Sequence, residues 1–388
     1  MSSILINLAA TGFLTLLHIQ VVAAAISWKD RLQHTEHMIK PVTEALTFSR
    51  FRQDDQVHIM AVLNDNGESV TGVDLSAALN RYAENTFEVI QDLTYDDVVK
   101  AVHSITHTVT AKYQDLLPGV AGNAHLAIGI NYADHGKETG QVKPFMFPKY
   151  VDTDPAIHHL PYTQGWLLDH EVELGLVFPS AVCSPADLDH ILVGFLVVND
   201  FTDRATLLRK MDSKNVTGGK GFPDAKSKQG FLPTGPYMVV PRDWRAFVQE
   251  LQLELQVNGQ LRQKGNARDM VWNIDKIIEQ SLAVKGEKRY VYQDKNVPLF
   301  EGNCIPPNSI IITGTPAGVV FNAPSTGFIF GAVTKYLFTG KFFREKMHPY
   351  VLQQYLKKQM NHQGYLKPGD LVESRISFLG TIKTSVEE

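Results

Sequence analysis

Asp169-His170-Glu171-Val172-Glu173-Leu174 is the stretch of sequence that decides how the chain folds around its chemistry. Alternate side chains of a β-strand point to opposite faces, so Glu171 and Glu173 share one face while Val172 and Leu174 face the core. Two carboxylates that lie so close together raise each other's pKa unless a cation neutralises them. The stretch therefore predicts a strand that carries an acidic site.

A third acidic residue follows the next predicted strand. Residues 191–198 form a continuous apolar run that stops at Asn199-Asp200, as a buried strand does on reaching a cleft. Carboxylates select hard ions, so Glu171, Glu173 and Asp200 together predict a divalent metal site that holds Mg²⁺, with Ca²⁺ or Mn²⁺ as alternatives. Taken alone, the two glutamates also fit the solvent face of an amphipathic edge strand.

Shifts in composition divide the chain, whose 388 residues exceed the roughly 100 to 200 of an average domain. Residues 27–118 mix helix-like and strand-like patterns, which predict a small α+β accessory domain. Residues 119–388 consist of short apolar runs bounded by Gly, Pro, Asn and Asp, which predict a β-rich catalytic domain. Residues 321–365 differ from their surroundings and resemble an insertion, in which 341–360 has a helical pattern. The expected fold class is α+β and β-rich.

Residues 1–26 form an apolar N-terminal segment, and the run from Ile4 to Ile26 approaches the roughly 20 residues that span a bilayer. Polar residues such as Asn7 and His18 interrupt the run, and it lacks the preceding Lys or Arg of a secretory signal. A packed helix or a tail in a cytoplasmic protein is therefore the first expectation. Export, or anchoring to a membrane by this segment, is the open alternative.

The charge balance and the cysteines narrow the range of partners. The chain has 41 acidic and 37 basic residues and a formal net charge of −4, so no nucleic-acid-binding surface is expected and a small-molecule substrate is the default. The two cysteines, Cys183 and Cys304, stand in no metal-ligand or redox spacing. Neither a disulfide framework nor a zinc site follows, and we expect buried, inert thiols.

Several motifs in a fixed order resemble the fumarylacetoacetate hydrolase (FAH) family, whose hallmark is a Glu-x-Glu strand followed by Asp in an Asp-hydrophobic-Thr/Ser-x-Arg run. That run is Asp200-Phe201-Thr202-Asp203-Arg204 in this chain. The resemblance covers about residue 126 to the C-terminus and implies the family's mixed β-sheet roll in the catalytic domain. The other matching segments are residues 129–138, Lys226 with residues 230–236, residues 257–259 with Arg262-Gln263, residues 313–318 and residues 366–370.

The resemblance also implies residues for catalysis and substrate binding. His135 and Glu138, one helical turn apart, would form a pair that activates water, with the carboxylate orienting the imidazole. Lys226 would pair with the substrate carboxylate or a developing oxyanion. For Arg204, a structural salt bridge explains the residue equally well. The residues expected to contact substrate are Tyr132, Arg204, Gly314 and Thr315.

The leading functional hypothesis is a metal-dependent hydrolase that cleaves a carbon–carbon bond in a small β-diketo acid, such as an acylpyruvate or a fumarylacetoacetate-like compound. The family also contains decarboxylases, hydratases and isomerases that share the metal, so these activities stay open. A non-catalytic, membrane-tethered binding or scaffold protein is the alternative of another class. A homodimer is expected from the resemblance. Ala205, Thr206 and Leu207 depart from the family's pattern and, with the insertion, predict a reshaped substrate pocket.

Overall fold

Strands dominate the architecture, as the sequence predicts. A computed structural model describes Thr35, residues 37–141 and residues 143–388. This described part of the chain contains nineteen strands. In chain order they are β1 (Ala45–Gln53), β2 (Gln56–Asp65), β3 (Ser69–Asp74), β4 (Val109–Lys112), β5 (His125–Gly129), β6 (Phe145–Lys149), β7 (Ile157–Pro161), β8 (Leu168–Asp169), β9 (Val172–Val177), β10 (Gly194–Asn199), β11 (Thr202–Asp203), β12 (Met238–Pro241), β13 (Gln252–Val257), β14 (Gln260–Asn266), β15 (Tyr290–Tyr292), β16 (Lys295–Val297), β17 (Ile311–Ile312), β18 (Leu371–Ile376) and β19 (Gly380–Glu387).

The α-helices of the described residues are short, and the two longest belong to the insertion. Three of them lie between β3 and β4, in the predicted accessory region. In chain order the helices are α1 (Leu75–Leu79), α2 (Thr86–Val89), α3 (Tyr95–Ser104), α4 (Ala133–Thr139), α5 (Arg204–Lys210), α6 (Phe222–Lys226), α7 (Trp244–Glu250), α8 (Ile274–Ala283), α9 (Thr326–Phe338) and α10 (Met347–Met360).

A ten-stranded mixed sheet carries the acidic strand in its interior. Its strand order is β4-β3-β2-β1-β12-β10-β9-β17-β5-β6. Strand β9 pairs with β10 on one side and with β17 on the other, and all six of its residues are buried. Because a strand with two neighbours has no solvent edge, the alternative that Glu171 and Glu173 line an exposed edge strand is wrong. Their carboxylates lie inside the protein.

The accessory region continues the same sheet. Strands β1 to β4 lie within residues 27–118, and with α1 to α3 they give this region the expected α+β character. Strand β1 pairs antiparallel with β12, from Ala45 opposite Pro241 to Phe48 opposite Met238. The hydrogen-bond ladder therefore crosses the predicted boundary at residue 118. The division of the chain into domains stays a prediction.

A five-stranded sheet of order β14-β13-β18-β19-β7 supports the site from a second side. Its hairpin β13–β14 turns at Asn258-Gly259, as predicted. Asn258 has a φ of 50° and Gly259 a φ of 72°, the positive values that a tight two-residue turn requires. Gln263 of β14 accepts a hydrogen bond from the backbone of Val172 at 3.0 Å. Ser374 of β18 accepts one from the Asn199 amide at 2.9 Å. These bonds join the second sheet to β9 and β10.

Residues 321–365, which the sequence predicts to be an insertion and which we continue to call the insertion, are largely helical. Helix α10 falls within the predicted stretch 341–360, whereas α9 was not anticipated. Tyr355 of α10 is buried in a small apolar cluster with Leu208 of α5 and Phe328 of α9. The insertion is thereby packed against α5, the helix that begins at Arg204.

The expectations for the N-terminal segment fall outside the described residues. Residues 1–34 and Glu36 are not described, so a packed helix, a signal or an anchor at 1–26 stays a prediction. Among the residues that the structure does describe, no helix is long and apolar enough to cross a membrane.

The two cysteines form a disulfide, so the expectation of buried, inert thiols is wrong. Val182 and Ile305 exchange reciprocal backbone hydrogen bonds of 3.0 Å and 2.9 Å. This pairing brings the neighbouring Cys183 and Cys304 together although 121 residues separate them in sequence. Cys183 lies on the surface and Cys304 is half-buried. The spacing of the two cysteines in the sequence did not indicate the disulfide, because it depends on a long-range contact between two loops.

Candidate active site

Three carboxylates meet where β9 begins and β10 ends. The antiparallel register sets Asn199 opposite Val172, so the next residue, Asp200, comes opposite Glu171. A backbone hydrogen bond of 2.9 Å from Asp200 to Glu171 closes the pair. One oxygen from each of Glu171, Glu173 and Asp200 lies within 4.8 Å of the others, and all three side chains are buried. The predicted metal ligands are thus brought together.

Basic side chains surround two of these carboxylates. Lys226 at the end of α6 forms ion pairs with Glu171 and, at 2.7 Å, with Asp200. Arg204 forms an ion pair with the other oxygen of Glu171. Lys149, at the end of β6, pairs with Asp200 and also donates to the Phe231 carbonyl at 2.9 Å. Each of these cations is buried, so the pairs are only weakly screened by solvent.

Arg204 is fixed from its other side by Asp169. The guanidinium donates to the Asp169 carboxylate at 2.9 Å. Asp169 also accepts backbone hydrogen bonds from Val320 and Phe321, at 3.0 Å and 3.1 Å, where the insertion begins. Burial alone would raise the pKa of Asp169, but the nearby Arg204 charge lowers it. Arg204 therefore makes the structural salt bridge that the sequence left open, and it also lines the cavity described below.

The electrostatic environment shifts the pKa values of Glu171 and Glu173 in opposite directions. Burial acts to raise the pKa of Glu171, but the charges of Lys226 and Arg204 lower it to about 2. Burial and the neighbouring charges of Asp200 and Glu171 instead raise the pKa of Glu173 well above its usual value. Glu173 receives a hydrogen bond from the Gly314 amide, and no cation of the described residues forms an ion pair with it. It is the member of the set that lacks a counter-charge.

This charge count fits a divalent ion. Four buried carboxylates, those of the three candidate ligands and Asp169, face three buried cations, so one negative charge is left uncompensated. Buried like charges are costly unless a cation neutralises them. Three carboxylate oxygens also match the preference of hard ions for oxygen ligands. The residues present can therefore hold a divalent metal.

The glycine-rich loop after β17 holds one side of the site. Gly314 adopts a φ of +99°, and a Cβ at this position would come 2.7 Å from the side chain of Asn131. This conformation directs its amide toward Glu173. The Thr315 hydroxyl donates to the Val172 carbonyl at 2.9 Å and accepts from Gln263 at 2.7 Å. Thr315 is therefore fastened to β9 through its hydroxyl, although it also lines the cavity.

His135 and Glu138 form the expected pair on α4. The imidazole Nδ1 lies 3.4 Å from a Glu138 oxygen, and His135 is buried at the wall of the cavity. The Gly318 amide donates to both Glu138 oxygens, at 3.0 Å and 3.1 Å. Only glycine fits at residue 318, because a Cβ would come 1.9 Å from the Arg262 carbonyl oxygen. The loop that follows β17 thus positions the carboxylate beside the imidazole.

A cavity of about 470 Å³ connects these groups. Of the ten residues predicted for the site, seven line it, while Gly314 and Glu138 lie behind the wall and act through the contacts above. Tyr132 is not among the lining residues; its buried hydroxyl has no hydrogen-bond partner in the described part of the chain, and burial raises its pKa. Its role in substrate binding stays a prediction. The lining residues from the prediction are His135, Glu171, Glu173, Asp200, Arg204, Lys226 and Thr315.

Sequence reasoning missed the residues that hold the site in place. Lys149 is the last residue of the aromatic strand β6, and an isolated lysine in such a setting is the signal that could have indicated a buried ion pair. Asp169 is the first residue of the stretch that carries Glu171 and Glu173, and Gln263 lies in strand β14. Neither residue was assigned a role, because their contacts depend on how distant strands pack.

Comparison with protein families supplies the identification. The model of the fumarylacetoacetate (FAA) hydrolase C-terminal domain matches residues 124–387, which is more than half of the chain. The chain belongs to this family. A 2,4-didehydro-3-deoxy-L-rhamnonate hydrolase from Sphingomonas sp. (strain SKA58) is 28% identical over 274 residues, covering 68% of this chain and 73% of that protein. An uncharacterized Staphylococcus aureus protein (strain USA300) is 30% identical over 217 residues, covering 53% and 61%.

Solved structures share the FAH fold. The fumarylacetoacetate hydrolase of Exiguobacterium antarcticum aligns with a TM-score of 0.53 at 23% identity, covering 88% of this chain and 99% of that one. Maleylpyruvate hydrolase of Sphingobium sp. SYK-6 gives a TM-score of 0.53 at 20% identity with the same coverage. A 2-hydroxyhepta-2,4-diene-1,7-dioate isomerase of Mycobacterium marinum gives 0.52 at 19%, covering 88% of this chain and 98% of that one. About 12% of this chain therefore lies outside these matches.

Proposed function

We propose that the protein is a metal-dependent hydrolase that cleaves a carbon–carbon bond in a small β-diketo acid. The observation that carries the proposal is the buried set of Glu171, Glu173 and Asp200, which has an uncompensated negative charge and opens into the same cavity as His135. The rhamnonate hydrolase at 28% identity, which is named as a hydrolase, supports this choice. Mg²⁺ is the proposed ion, with Ca²⁺ or Mn²⁺ as alternatives.

The metal and the basic residues have different electrostatic roles in this proposal. A divalent ion held by the three carboxylates would polarise the carbonyl of a chelating oxo acid. Lys226 and Arg204 keep Glu171 ionised by their charge, so that it is available as a ligand. Lys226 reaches the cavity and offers its ammonium to the substrate carboxylate or to a developing oxyanion. A negative charge formed during bond cleavage would thus arise beside fixed positive charge.

His135 acts in this proposal as the general base. Its Nδ1 faces Glu138, which leaves Nε2 to take a proton from water. Glu138 then stabilises the imidazolium, and the Gly318 amide keeps the carboxylate in place. The hydroxide would form a bond to the carbonyl carbon, the carbon–carbon bond would break with its electrons passing to the leaving enolate, and His135 would return the proton to the enolate carbon. A homodimer and a cytoplasmic location stay predictions.

The test compares His135→Ala with His159→Ala, a matched control at an exposed histidine. Turnover of acetylpyruvate with Mg²⁺ should fall roughly 10²- to 10⁴-fold in His135→Ala, as expected for loss of a general base. The control should keep wild-type turnover. Mg²⁺ affinity, measured by calorimetry, should be nearly unchanged in both. Full cleavage by His135→Ala would remove the water-activation step.

Product analysis separates hydrolysis from the other activities found in the family. A hydrolase releases two acids from one β-diketo acid, whereas an isomerase returns a single product of unchanged mass. Mass spectrometry of the reaction with and without Mg²⁺ therefore decides the reaction class. Absence of turnover on every β-diketo acid and oxo acid, with metal present, would favour the scaffold alternative.

A further inference from the structure

The cavity has many lining residues besides the carboxylates, and most of them are apolar. At about 470 Å³ it falls within the roughly 300–1,000 Å³ of pockets that bury drug-sized ligands. A small oxo acid chelated at the carboxylates would leave most of this space unused. One group of lining residues comes from the strands, α5 and α6, and another comes from residues 321–365. Apolar lining residues of the first group are Leu207 and Phe222, and those of the second group are Ile329, Val333 and Leu352.

Most of the charged side chains that line the cavity gather around the three carboxylates. Apart from His348, the acidic and basic lining residues of the described chain are His135, the three carboxylates, Arg204 and Lys226. Arg204 and Lys226 pair with Glu171, so these charges gather around the proposed metal position. The insertion contributes one ionisable group to the lining apart from the Tyr355 phenol, the imidazole of His348. A ligand that fills the whole cavity therefore needs a charged head and an apolar tail.

The apolar wall is joined directly to the charged end. Phe321, the first residue of the insertion, lines the cavity, and its ring lies 5.4 Å from the Arg204 guanidinium carbon. The backbone of Phe321 donates to Asp169 at 3.1 Å, and Asp169 in turn holds Arg204. Tyr355 of α10 donates a hydrogen bond to the Asn322 carbonyl. The wall is thus fixed relative to the charged groups.

We propose that this site selects an oxo acid that carries a long alkyl or aryl substituent. The oxo-acid head would lie at the carboxylates, and the substituent would lie between the strands and the helices of the insertion. Burial of each methylene contributes about 0.8 kcal/mol, so affinity should rise roughly three- to fourfold with each added carbon until the apolar part is full. This inference rests on the proposed function for the identity of the head group.

The first experiment separates tail binding from catalysis. N-alkyl oxamates carry a head of two neighbouring oxygen ligands that chelates metal, but they lack the carbon–carbon bond between two carbonyl groups of a β-diketo acid that the proposed hydrolase cleaves. Calorimetry with Mg²⁺ should show affinity rising from N-methyl to N-octyl oxamate by about three- to fourfold per carbon over the first members. Equal affinity along the series would overturn the inference, whether or not the enzyme turns over any β-diketo acid.

A parallel series tests the substrate itself. Acylpyruvates with acyl chains from acetyl to decanoyl should show kcat/KM rising with chain length. Turnover that is independent of chain length would overturn the tail inference and leave the hydrolase proposal standing. Absence of turnover in the whole series would overturn the hydrolase proposal, and the oxamate titrations would still decide the question of the tail.

A pair of matched variants locates the tail. Leu352→Trp adds bulk to a leucine of α10 that lines the cavity, whereas Leu337→Trp changes an exposed leucine of α9 outside the lining. Leu352→Trp should weaken N-octyl oxamate by about tenfold or more and leave N-methyl oxamate within about twofold, since overpacking penalises only the part that is filled. Val333→Trp on α9 is a second variant with the same expectation. Equal effects at Leu352 and Leu337 would contradict the assignment.

The outer surface of the insertion carries a second, independent feature. Phe330, Phe338 and Phe343 are 75%, 88% and 83% exposed. Residues 321–365 contain six Lys or Arg residues and one acidic residue, although the chain as a whole has a net charge of −4. That acidic residue, Glu345, is paired with Lys341 at 3.5 Å. We call this combination of exposed phenylalanines and basic residues in 321–365 the aromatic–basic surface.

We infer that the aromatic–basic surface binds a bilayer that contains anionic lipids. Aromatic side chains enter the interface of a membrane, and each nearby Lys or Arg adds about 1 kcal/mol of attraction to an anionic leaflet. A second copy of the chain would present the same positive charge, so self-association through this surface is disfavoured. The apolar run from Ile4 to Ile26 contains no acidic residue that would complement it.

Sedimentation of the full chain with vesicles tests this inference. The protein should sediment with vesicles of phosphatidylcholine and phosphatidylserine, and much less with phosphatidylcholine alone. Phe338→Ser with Phe343→Ser, and Arg344→Glu with Lys346→Glu, should each weaken binding by about tenfold or more, while Leu261→Ser, an exposed leucine on β14, should not. Wild-type binding that survives both double variants would overturn the inference. So would concentration-dependent dimerisation through this surface without vesicle binding.

Discussion

The charged end and the apolar end of the cavity are lined by residues from different parts of the chain. At the charged end, the buried carboxylates and cations come from the ends of strands and from the starts or ends of short helices, and they contact one another directly. At the apolar end, much of the lining comes from α9 and α10, which belong to a single insertion. In the proposals above, the charged end supplies the groups for chemistry and the apolar end supplies a surface for recognition.

This difference indicates that reaction and substrate choice can change separately. The charged groups depend on β9 and β10, whose pairing is part of the ten-stranded sheet, so we expect a change there to disturb both the proposed activity and folding. The insertion packs on the outside of α5 through a small apolar cluster. Changes in the insertion should therefore alter which substrates bind and leave most of the stability intact. Four predictions test this contrast.

The largest effect is expected for Asp200→Ala. This change removes a candidate metal ligand and leaves the buried Lys149 ammonium with only the Phe231 carbonyl as a partner. Loss of one partner of a buried ion pair costs about 3–5 kcal/mol, so urea titration should show that decrease in the free energy of unfolding, together with loss of turnover. Asp189→Ala, which removes an exposed ion pair with Arg245, should change stability by at most about 1 kcal/mol. An equal loss of unfolding free energy in Asp200→Ala and Asp189→Ala would contradict the expected difference between a buried and an exposed ion pair.

Loss of the disulfide should have the next largest effect. Cys183→Ala with Cys304→Ala should lower the free energy of unfolding by on the order of 2–4 kcal/mol, because the bridge constrains a long loop in the unfolded chain. Since neither cysteine lines the cavity, turnover at room temperature should stay close to wild type. Denaturation with and without reductant measures the stability. If reduction of the wild type left its free energy of unfolding unchanged, the disulfide would not stabilise the fold and the prediction would be wrong.

The third prediction concerns His125, the first residue of β5 in the ten-stranded sheet. We expect the free energy of unfolding to depend on pH through this histidine. Its Nδ1 accepts a hydrogen bond from the Ile310 amide at 3.2 Å, and its Nε2 donates to the Val151 carbonyl at 3.1 Å. Burial lowers the pKa of His125 to about 4. Because the unfolded histidine takes up a proton near its ordinary pKa of about 6.5, the stabilisation is complete above that pH and is lost as the pH falls toward 4.

Urea titrations at pH 7 and pH 5 measure this contribution. The wild type should lose about 2 kcal/mol more between the two pH values than His125→Gln does. His159→Gln, at an exposed histidine, should behave as the wild type. If His125→Gln had the same pH dependence as the wild type, another group would be responsible for the acid sensitivity.

The smallest effect is expected in the insertion. Tyr355→Phe removes the hydrogen bond to the Asn322 carbonyl and leaves the ring in its apolar cluster. The loss should be about 1 kcal/mol of stability, with turnover of acetylpyruvate nearly unchanged. Thermal unfolding and a standard rate assay measure the two quantities. A loss comparable with that of Asp200→Ala would show that the insertion is part of the folding core.

Local patterns predicted the strands and the acidic site. The apolar run before Asn199-Asp200 indicated β10, and the alternation around Glu171 and Glu173 indicated β9, because both depend on neighbouring residues alone. The FAH-like motifs added the His135 and Glu138 pair, which the structure brings together. The choice between an edge strand and an interior strand needed information about pairing with β17, a strand far along the chain.

Features that depend on long-range contacts could not be predicted from the sequence. The disulfide depends on the pairing of Val182 with Ile305, and the Lys149 ion pair depends on where β6 ends relative to β10. Helix α9 was missed because apolar residues occur around much of its circumference, so no amphipathic period marks it. Its exposed phenylalanines became visible only in three dimensions.

Metal binding by the three carboxylates is the central claim, and calorimetry tests it most directly. Mg²⁺ or Ca²⁺ should bind to the wild type and fail to bind to Glu171→Gln with Glu173→Gln, which keeps the size of both side chains and removes their charge. Circular dichroism would verify that the double variant is folded. If the wild type bound neither ion even with oxalate present, or if the double variant bound it equally well, the proposed metal site would be contradicted.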